Sequence, residues 1–482
     1  MRKKRMRILF AGAEIMPFAA TGGLGDVLGA LPPALASRGA DVRAVMPLYS
    51  AVGREWRDKM KKLSEFTVRL SWRNQYCGLY SLKRKGVTWY FIDNEYYFAR
   101  ERLYGEYDDG ERFAFFSAAV IEMMKQTGFY PDVLHLHDWQ AALAAVYLDR
   151  EKRKGGFLGT KCVFTIHNIE YQGHFDPFLL GDLFGLGEEE GRILTWKGVL
   201  NLMKGGIAAA DRISTVSPTY SRQILTPEFG KGLDPILRDS SFKLRGILNG
   251  IDTELYDPEK DPAIAVRYSA EDPSGKRACS AALRAEAGLP DRDCPLFAIV
   301  SRLASHKGLD LAVSAIRGIL NDTGGQLVVL GKGETALEDF FRSLEREMPD
   351  RVRAMIVYDR ELSRRIYAGA DILLMPSRSE PCGLAQMIAC RYGTVPVVRE
   401  TGGLADSIRQ WRQLPEGGYE GNGFTFRDPD PAELYYAAKG ASDLWYRPKE
   451  RALLIESMMT TDFSWDRSAE EYLALYREAA GS

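Results

Sequence analysis

The sequence predicts an α/β protein of two doubly wound domains, each a parallel sheet with helices on both faces. Three observations predict it. Short apolar runs alternate with longer amphipathic stretches along the chain. The runs are nearly continuous in apolar residues, which suits parallel strands buried on both sides. Nearly the same heptapeptide also occurs twice, once near each end: Thr21-Gly22-Gly23-Leu24-Gly25-Asp26-Val27 and Thr401-Gly402-Gly403-Leu404-Ala405-Asp406-Ser407. Each copy follows a strand-like run and precedes a helical-looking one. At 482 residues the chain is too long for one ordinary core, so two or three domains are expected.

In chain order, the strand candidates of the first half are 8–13, 42–47, 133–136, 162–167 and 213–216. The segment 66–93 reads as extra strands inserted in that lobe. Asn249-Gly250-Ile251-Asp252, followed by Pro258 and Pro262, is the hinge candidate. Residues 271–292 read as a charged, helical lead-in to the second half. Strand candidates there are 296–301, 327–330, 355–357, 372–375 and 395–398. Residues 465–480 read as a closing helix, with Tyr472 and Tyr476 four apart on one face.

Composition narrows the function. Apolar residues at 45% and charged residues at 27% describe a globular chain, and a net charge of −1 gives no bulk attraction to nucleic acid or anionic membrane. Any anion site must therefore use a few placed Arg and Lys side chains. Cysteines at 77, 162, 279, 294, 382 and 390 form no C-x-x-C pair and suit neither zinc nor a disulfide framework. Reduced thiols in a cytoplasmic protein are the plain reading. Met1-Arg2-Lys3-Lys4-Arg5 followed by Ile8-Leu9-Phe10-Ala11 superficially resembles a signal peptide. The apolar run is short and Glu14 interrupts it, so a first buried strand fits better. No run of about eighteen apolar residues predicts a membrane span.

Ligands of open α/β sheets bind beyond the carboxyl ends of the strands, so polar residues there are the informative ones. Paired glycines at a strand-to-helix turn bare backbone N–H groups to an anion. Two such turns, one per half, suggest one phosphate-bearing ligand; two unrelated tight turns are the plainer alternative. Arg302 and Lys307 follow a strand, five residues apart, and could both reach a phosphate if Lys307 begins the next helix. A surface Arg and a helix-start Lys would look the same. Glu380 follows the strand candidate 372–375, before Pro381, which suits a first helical turn. It could accept hydrogen bonds from sugar hydroxyls or simply face a helix dipole. Asp138 with Trp139 suits a sugar, carboxylate for hydroxyls and ring for an apolar face, or equally a cap beside a core Trp. His135 and His137 share a strand face but lack a convincing third metal ligand, so no metal site is expected. The triplets Asp291-Arg292-Asp293 and Asp428-Pro429-Asp430 lie away from the glycine turns and read as chance. A dinucleotide-dependent oxidoreductase would need G-x-G-x-x-G after the first strand, and the chain has Ala11-Gly12-Ala13-Glu14 instead. A two-lobed sugar-binding protein without chemistry would leave Arg302, Lys307 and Glu380 unexplained.

Together these residues resemble bacterial glycogen synthase. The resemblance runs from Glu14 to Trp465. It rests on Pro17 through Val27, His137-Asp138-Trp139-Gln140, Thr165-Ile166-His167-Asn168 with Tyr171-Gln172-Gly173, and Val216-Ser217-Pro218. It continues through Leu248-Asn249-Gly250-Ile251-Asp252, Ser301-Arg302-Leu303 with Lys307-Gly308-Leu309-Asp310, and Pro376-Ser377-Arg378 with Glu380-Pro381-Cys382-Gly383-Leu384. Tyr392-Gly393-Thr394, Thr401 to Asp406 and Asp462-Phe463-Ser464-Trp465 complete it.

The resemblance implies two Rossmann-like lobes facing across a cleft, the GT-B arrangement. An acceptor-side domain would span residues 1–248, a nucleotide-sugar domain 249–460, and a helix within 461–482 would pack back on the first domain. It implies glucose transfer from ADP-glucose to the non-reducing end of an α-1,4-glucan such as glycogen, with the α configuration retained. No catalytic metal and no cofactor are implied, and no nucleic-acid or membrane partner. Arg302 and Lys307 would clamp the diphosphate, Glu380 and His167 would hold the donor glucose, and Asp138 would lie beside the reacting centre. Contacts to substrate are further implied for Thr21, Gly22, Gly23, Asp26, Trp139, Asn168, Asn249, Cys382, Gly383, Leu384, Thr401, Gly402, Gly403 and Leu404. The sequence departs from the family pattern at Ala20, where a Lys is usual, at His306 in place of Gln, and at Ser379 in place of an aromatic residue. A related pattern has a second Glu eight residues after the first, and here Ile388 stands there. UDP-glucose as donor, or a different glucosyl acceptor, is the alternative.

Overall fold

The computed structural model describes residues 5–481. It divides into two units, residues 5–250 with 465–481 and residues 251–464. The boundaries thus fall at 250/251 and 464/465, a few residues beyond those read from the sequence. Local hydrogen bonds set them. Ile251 N donates to Phe463 O at 2.8 Å, so the outgoing and returning chain pair within the second unit. Ser468 Oγ donates to Leu248 O at 2.5 Å, within the first.

The first unit opens on β1 (Arg7–Ala11), whose Ile8, Leu9, Phe10 and Ala11 are wholly buried. The strands β2 (Asp41–Pro47), β3 (Lys61–Leu70), β4 (Arg73–Arg84) and β5 (Val87–Asp93) follow, then β6 (Val133–His137) and β7 (Lys161–Ile166). A small antiparallel sheet is made by β8 (His174–Phe175), β9 (Thr195–Trp196) and β10 (Val199–Asn201). With β11 (Arg212–Thr215) and β12 (Leu244–Gly246) the main sheet has the order β12-β11-β7-β6-β1-β2-β5-β4-β3. Only β4 runs antiparallel to its neighbours β5 and β3. The inserted segment is therefore a hairpin, β3–β4, while β5 extends the parallel sheet beside β2. The chain leaves β1 toward β2 on one side and later returns to β6 on the other, so a switch point opens between β1 and β6. The helix Trp465–Ala480 closes this unit, burying Tyr472, Leu475 and Tyr476 near the helix Gly23–Ser37 and strands β6 and β7.

The second unit has a parallel sheet built of β13 (Leu296–Val300), β14 (Gln326–Leu330), β15 (Val352–Met355), β16 (Ile372–Met375) and β17 (Val395–Arg399). A short ladder, β18 (Arg412–Gln413) with β19 (Tyr419–Glu420), precedes the last sheet strand, β20 (Phe424–Phe426). The order is β15-β14-β13-β16-β17-β20, which puts the switch point between β13 and β16. The third strand lies earlier than the apolar run 355–357 suggested. Val352 pairs with Leu327 and Met355 with Leu330, after which Val357 N turns back to Met355 O at 2.9 Å.

A buried cation braces this unit. Lys276, in the helix Gly275–Glu286, donates from Nζ to Thr394 Oγ1 at 2.7 Å and to the carbonyls of Ala368 and Tyr392, each at 3.0 Å. Burial pushes its ammonium down to about 8. Lys276→Met keeps the length but takes the ammonium donor from Thr394 Oγ1 and Ala368 O, while Tyr392 O keeps Tyr268 OH at 2.8 Å. A loss of about 3 kcal/mol is expected, from the cost of unmade bonds to a charged donor. Urea unfolding checks it, and an unchanged midpoint would show that the carbonyls find other donors.

Candidate functional site

The residues singled out by the sequence divide between the two units, with Glu14 and Asp138 at the first switch point and Lys307 and Glu380 at the second. In the first unit, Glu14 lies just past β1 and is buried. Its carboxylate accepts from Thr21 N at 2.6 Å, Thr21 Oγ1 at 2.8 Å and Gly25 N at 3.3 Å. The glycine turn is thereby pinned against the end of β1. Burial raises the Glu14 pKa despite these donors, and Asp26, half-buried nearby, pushes the same way. Thr21 Oγ1 also meets Tyr104 OH, a partner 83 residues away that no local pattern could reveal. Gly22 is the N-cap of the helix Gly23–Ser37, and Thr21, Gly22 and Gly23 are exposed. The first N–H groups of a helix have no partner inside it, so this turn offers donors to an anion. Gly25 is required for packing: a Cβ there would lie 2.3 Å from that of Ala20.

Beyond β6 and β7 the chain brings Asp138 to His167. Asp138 Oδ1 accepts from His167 N at 2.7 Å, and the carboxylate also takes the Asn168 N–H. Burial outweighs both bonds and raises its pKa to about 7. Its backbone is left-handed, φ +54°, a strained geometry that fixes the carboxylate at the start of the helix Asp138–Arg153. His167 Nε2 lies 2.8 Å from His137 Nδ1. Burial lowers the His167 pKa to about 3 and holds His135 and His137 well below the usual value, so all three rings are neutral. Trp139 packs edge-on to Phe113 and against Phe175, and its ring leaves no room for a Cβ on Gly173, which would approach to 2.6 Å. Asn168 Oδ1 holds Glu170 N at 3.0 Å. Asn249 is buried at the end of this unit, and its Oδ1 has no hydrogen-bond partner among the described residues.

In the second unit the loop after β13 meets the loop after β16. Lys307 Nζ donates to both oxygens of Glu380, at 2.9 and 2.7 Å. Ser377 Oγ adds a third bond to this carboxylate at 3.0 Å. Lys307 ends a short 3-10 turn, and the next helix, Leu309–Thr323, starts two residues on, after Gly308 in left-handed geometry. A Cβ on Gly308 would strike Pro376 O at 1.9 Å, so glycine is what lets the two loops touch. Arg302 is exposed beside them. Pro381 does not open a helix: Cys382, Gly383 and Leu384 intervene, and the helix runs Ala385–Arg391. Gly383 takes φ +71° there.

The second glycine turn differs from the first. Gly403 N donates to Glu380 O at 3.1 Å and Leu404 N to Thr401 O at 3.1 Å, while Thr401, Gly402, Gly403 and Leu404 are all buried. A Cβ on Gly402 would lie 1.9 Å from Glu380 O, and one on Gly403 2.1 Å from Cys382 O. Here the glycines serve close packing, and the N–H groups of Gly403 and Leu404 are already spent on the protein.

Residues 7–239 match the profile of the starch synthase catalytic domain, and residues 283–444 that of glycosyl transferases group 1. Joined to the two switch-point sheets, they make this a glycosyltransferase of the two-lobed GT-B class. The glycogen synthase of Streptococcus mutans is 47% identical over 481 residues, covering 98% of this chain and 100% of that one. That of Bacillus subtilis is 44% identical over 481 residues, with 99% of each covered. The chain belongs to the glycogen synthase family. Among solved structures, the catalytic domain of starch synthase IV from Arabidopsis thaliana, bound to ADP and acarbose, superposes with a TM-score of 0.90. It is 34% identical, with 99% of this chain and 100% of that chain covered.

Proposed function

We propose that this enzyme elongates glycogen by moving glucose from ADP-glucose to the non-reducing end of an α-1,4-glucan, with retention at the anomeric carbon. The observation that carries the reading is the Lys307–Glu380 pair at the switch point of the second unit. A cation there can meet the charge that gathers on a departing diphosphate, and a carboxylate beside it can hold sugar hydroxyls. Arg302 supplies the second cation. As the bond from C1 to the diphosphate breaks, the acceptor 4-hydroxyl attacks from the same face. Its proton passes to a departing phosphate oxygen, so no enzyme nucleophile is needed. Asp138 and His167 stand at the first unit's strand ends as the groups facing the reacting sugar, and Gly22 and Gly23 offer N–H donors. With Ala20 where the family carries Lys, that turn binds through its backbone. Six buried cysteines without a disulfide suit action in the cytoplasm.

One assay tests the proposal. Glycogen is incubated with ADP-glucose or UDP-glucose, with and without EDTA, and released nucleoside diphosphate is counted. ADP release coupled to glucan growth, nearly intact in EDTA, is expected. Preference for UDP-glucose would revise the donor, and a large loss in EDTA restored by Mg²⁺ would overturn the metal-free mechanism.

A further inference from the structure

His167 is gripped by two consecutive residues. Asp138 holds its backbone N–H, and His137 holds its ring. The His137 ring is fully buried, stacked on Phe10 at 5.6 Å with 19° between planes and packed against His135 at 4.1 Å. Its Nε2 has no hydrogen-bond partner among the described residues. His135 cannot supply one, because its Nδ1 is held by Tyr476 OH at 2.8 Å and its Nε2 by Thr165 Oγ1 at 2.6 Å.

Between two neutral imidazoles one nitrogen must carry the shared hydrogen. If it sat on His167 Nε2, the proton of His137 would be on its own Nε2, as a buried donor with nothing to bond. If it sits on His137 Nδ1, the orphan is only a lone pair. Buried orphan N–H groups are the rarer and costlier case. We infer that His137 is a positioning residue that locks His167 in the tautomer with its proton on Nδ1, so that the site meets its substrate with a hydrogen-bond donor. The ring of an unrestrained histidine side chain favours the Nε2–H tautomer, and the hydrogen bond made by the other nitrogen is what can reverse that choice. Among the described residues nothing bonds to His167 Nδ1, and the residue is half-buried, which leaves this donor for a ligand. On the transferase reading, its acceptor is an oxygen of the sugar, and His167 is not the base of the reaction.

The chain contains five histidines, which makes ring nitrogens individually assignable by NMR. In histidine-selective ¹⁵N-labelled full-length protein, long-range ¹H–¹⁵N correlations should show His167 protonated at Nδ1 and bare at Nε2. A wild-type His167 protonated at Nε2 overturns the inference at once. In His137→Phe, which keeps a flat ring but no donor, His167 should revert to the Nε2–H form. In His137→Asn, whose amide N–H replaces the donor, the lock should hold. An unchanged His167 signal in His137→Phe would also overturn it. Glucose transfer should fall about tenfold in His137→Phe, the scale of one hydrogen bond, and recover in part in His137→Asn. Equal loss in both would assign His137 a packing role instead. The NMR result needs no substrate, so it stands or falls apart from the transferase reading.

Discussion

Lys307→Met is expected to lower the turnover of glucose transfer by about 10²–10³, the cost of removing one preorganised charged donor from a transition state. It should also weaken the second unit. Glu380 keeps only 7% of its side chain exposed, and without Lys307 its carboxylate retains Ser377 Oγ as its side-chain donor. Breaking one partner of a buried pair leaves an uncompensated charge, at a cost of about 3 kcal/mol. Glu380→Gln should be milder in stability, because Lys307 is 19% exposed and reaches water more readily. The double variant Lys307→Met/Glu380→Gln removes both charges and should melt closer to the parent while staying inactive. Thermal melts and kcat for the three proteins test this. A Lys307→Met enzyme with normal kcat and a raised donor KM would make the contribution uniform binding. A double variant no more stable than Lys307→Met would mean the charges were never coupled.

Asp138→Asn should cost at least about 10² in turnover, yet make the fold more stable at neutral and alkaline pH. The folded carboxyl has a pKa raised to about 7, against about 4 in an unfolded chain. Below pH 4 the group is protonated in both states and contributes nothing. From pH 4 to 7 the unfolded chain ionises first, so stability drains away as pH rises. Above pH 7 the full penalty is in place. Asn pays none of it, tolerates the left-handed backbone at this position, and can still accept from His167 N. The melting temperature of the variant should therefore exceed that of the parent at pH 8, and the gap should close toward pH 4. A gap independent of pH would show that burial does not govern this carboxyl.

Much of this is legible in the sequence. Continuous apolar runs gave the parallel strands, since strands buried on both faces must read that way. The closing helix was visible from its period. What the chain could not show was adjacency. Lys307 and Glu380 are 73 residues apart, and only the strand order, with β13 beside β16, makes them partners. The heptapeptide is the sharper case. Its two copies are nearly identical, but one sits exposed at a helix start and the other is wedged under the carbonyls of Glu380 and Cys382. Glycine pairs serve donor exposure and tight backbone packing equally, so sequence could not tell the two uses apart. The raised pKa of Asp138 was hidden for a related reason. It depends on how completely neighbouring elements exclude water, which is a property of the packed unit.

The helix Trp465–Ala480 also sets a schedule for synthesis. A ribosome makes the first 250 residues, then all of the second unit, and only then the helix that covers β6 and gives His135 its Tyr476 partner. At 5–20 residues per second the wait is roughly 10–40 s. During that time the nascent first unit carries an uncovered apolar face, while the second unit, contiguous in the chain, has everything it needs. The part synthesised first is therefore the part finished last, and removal of the final turns should harm the N-terminal unit that lies farthest from them in sequence.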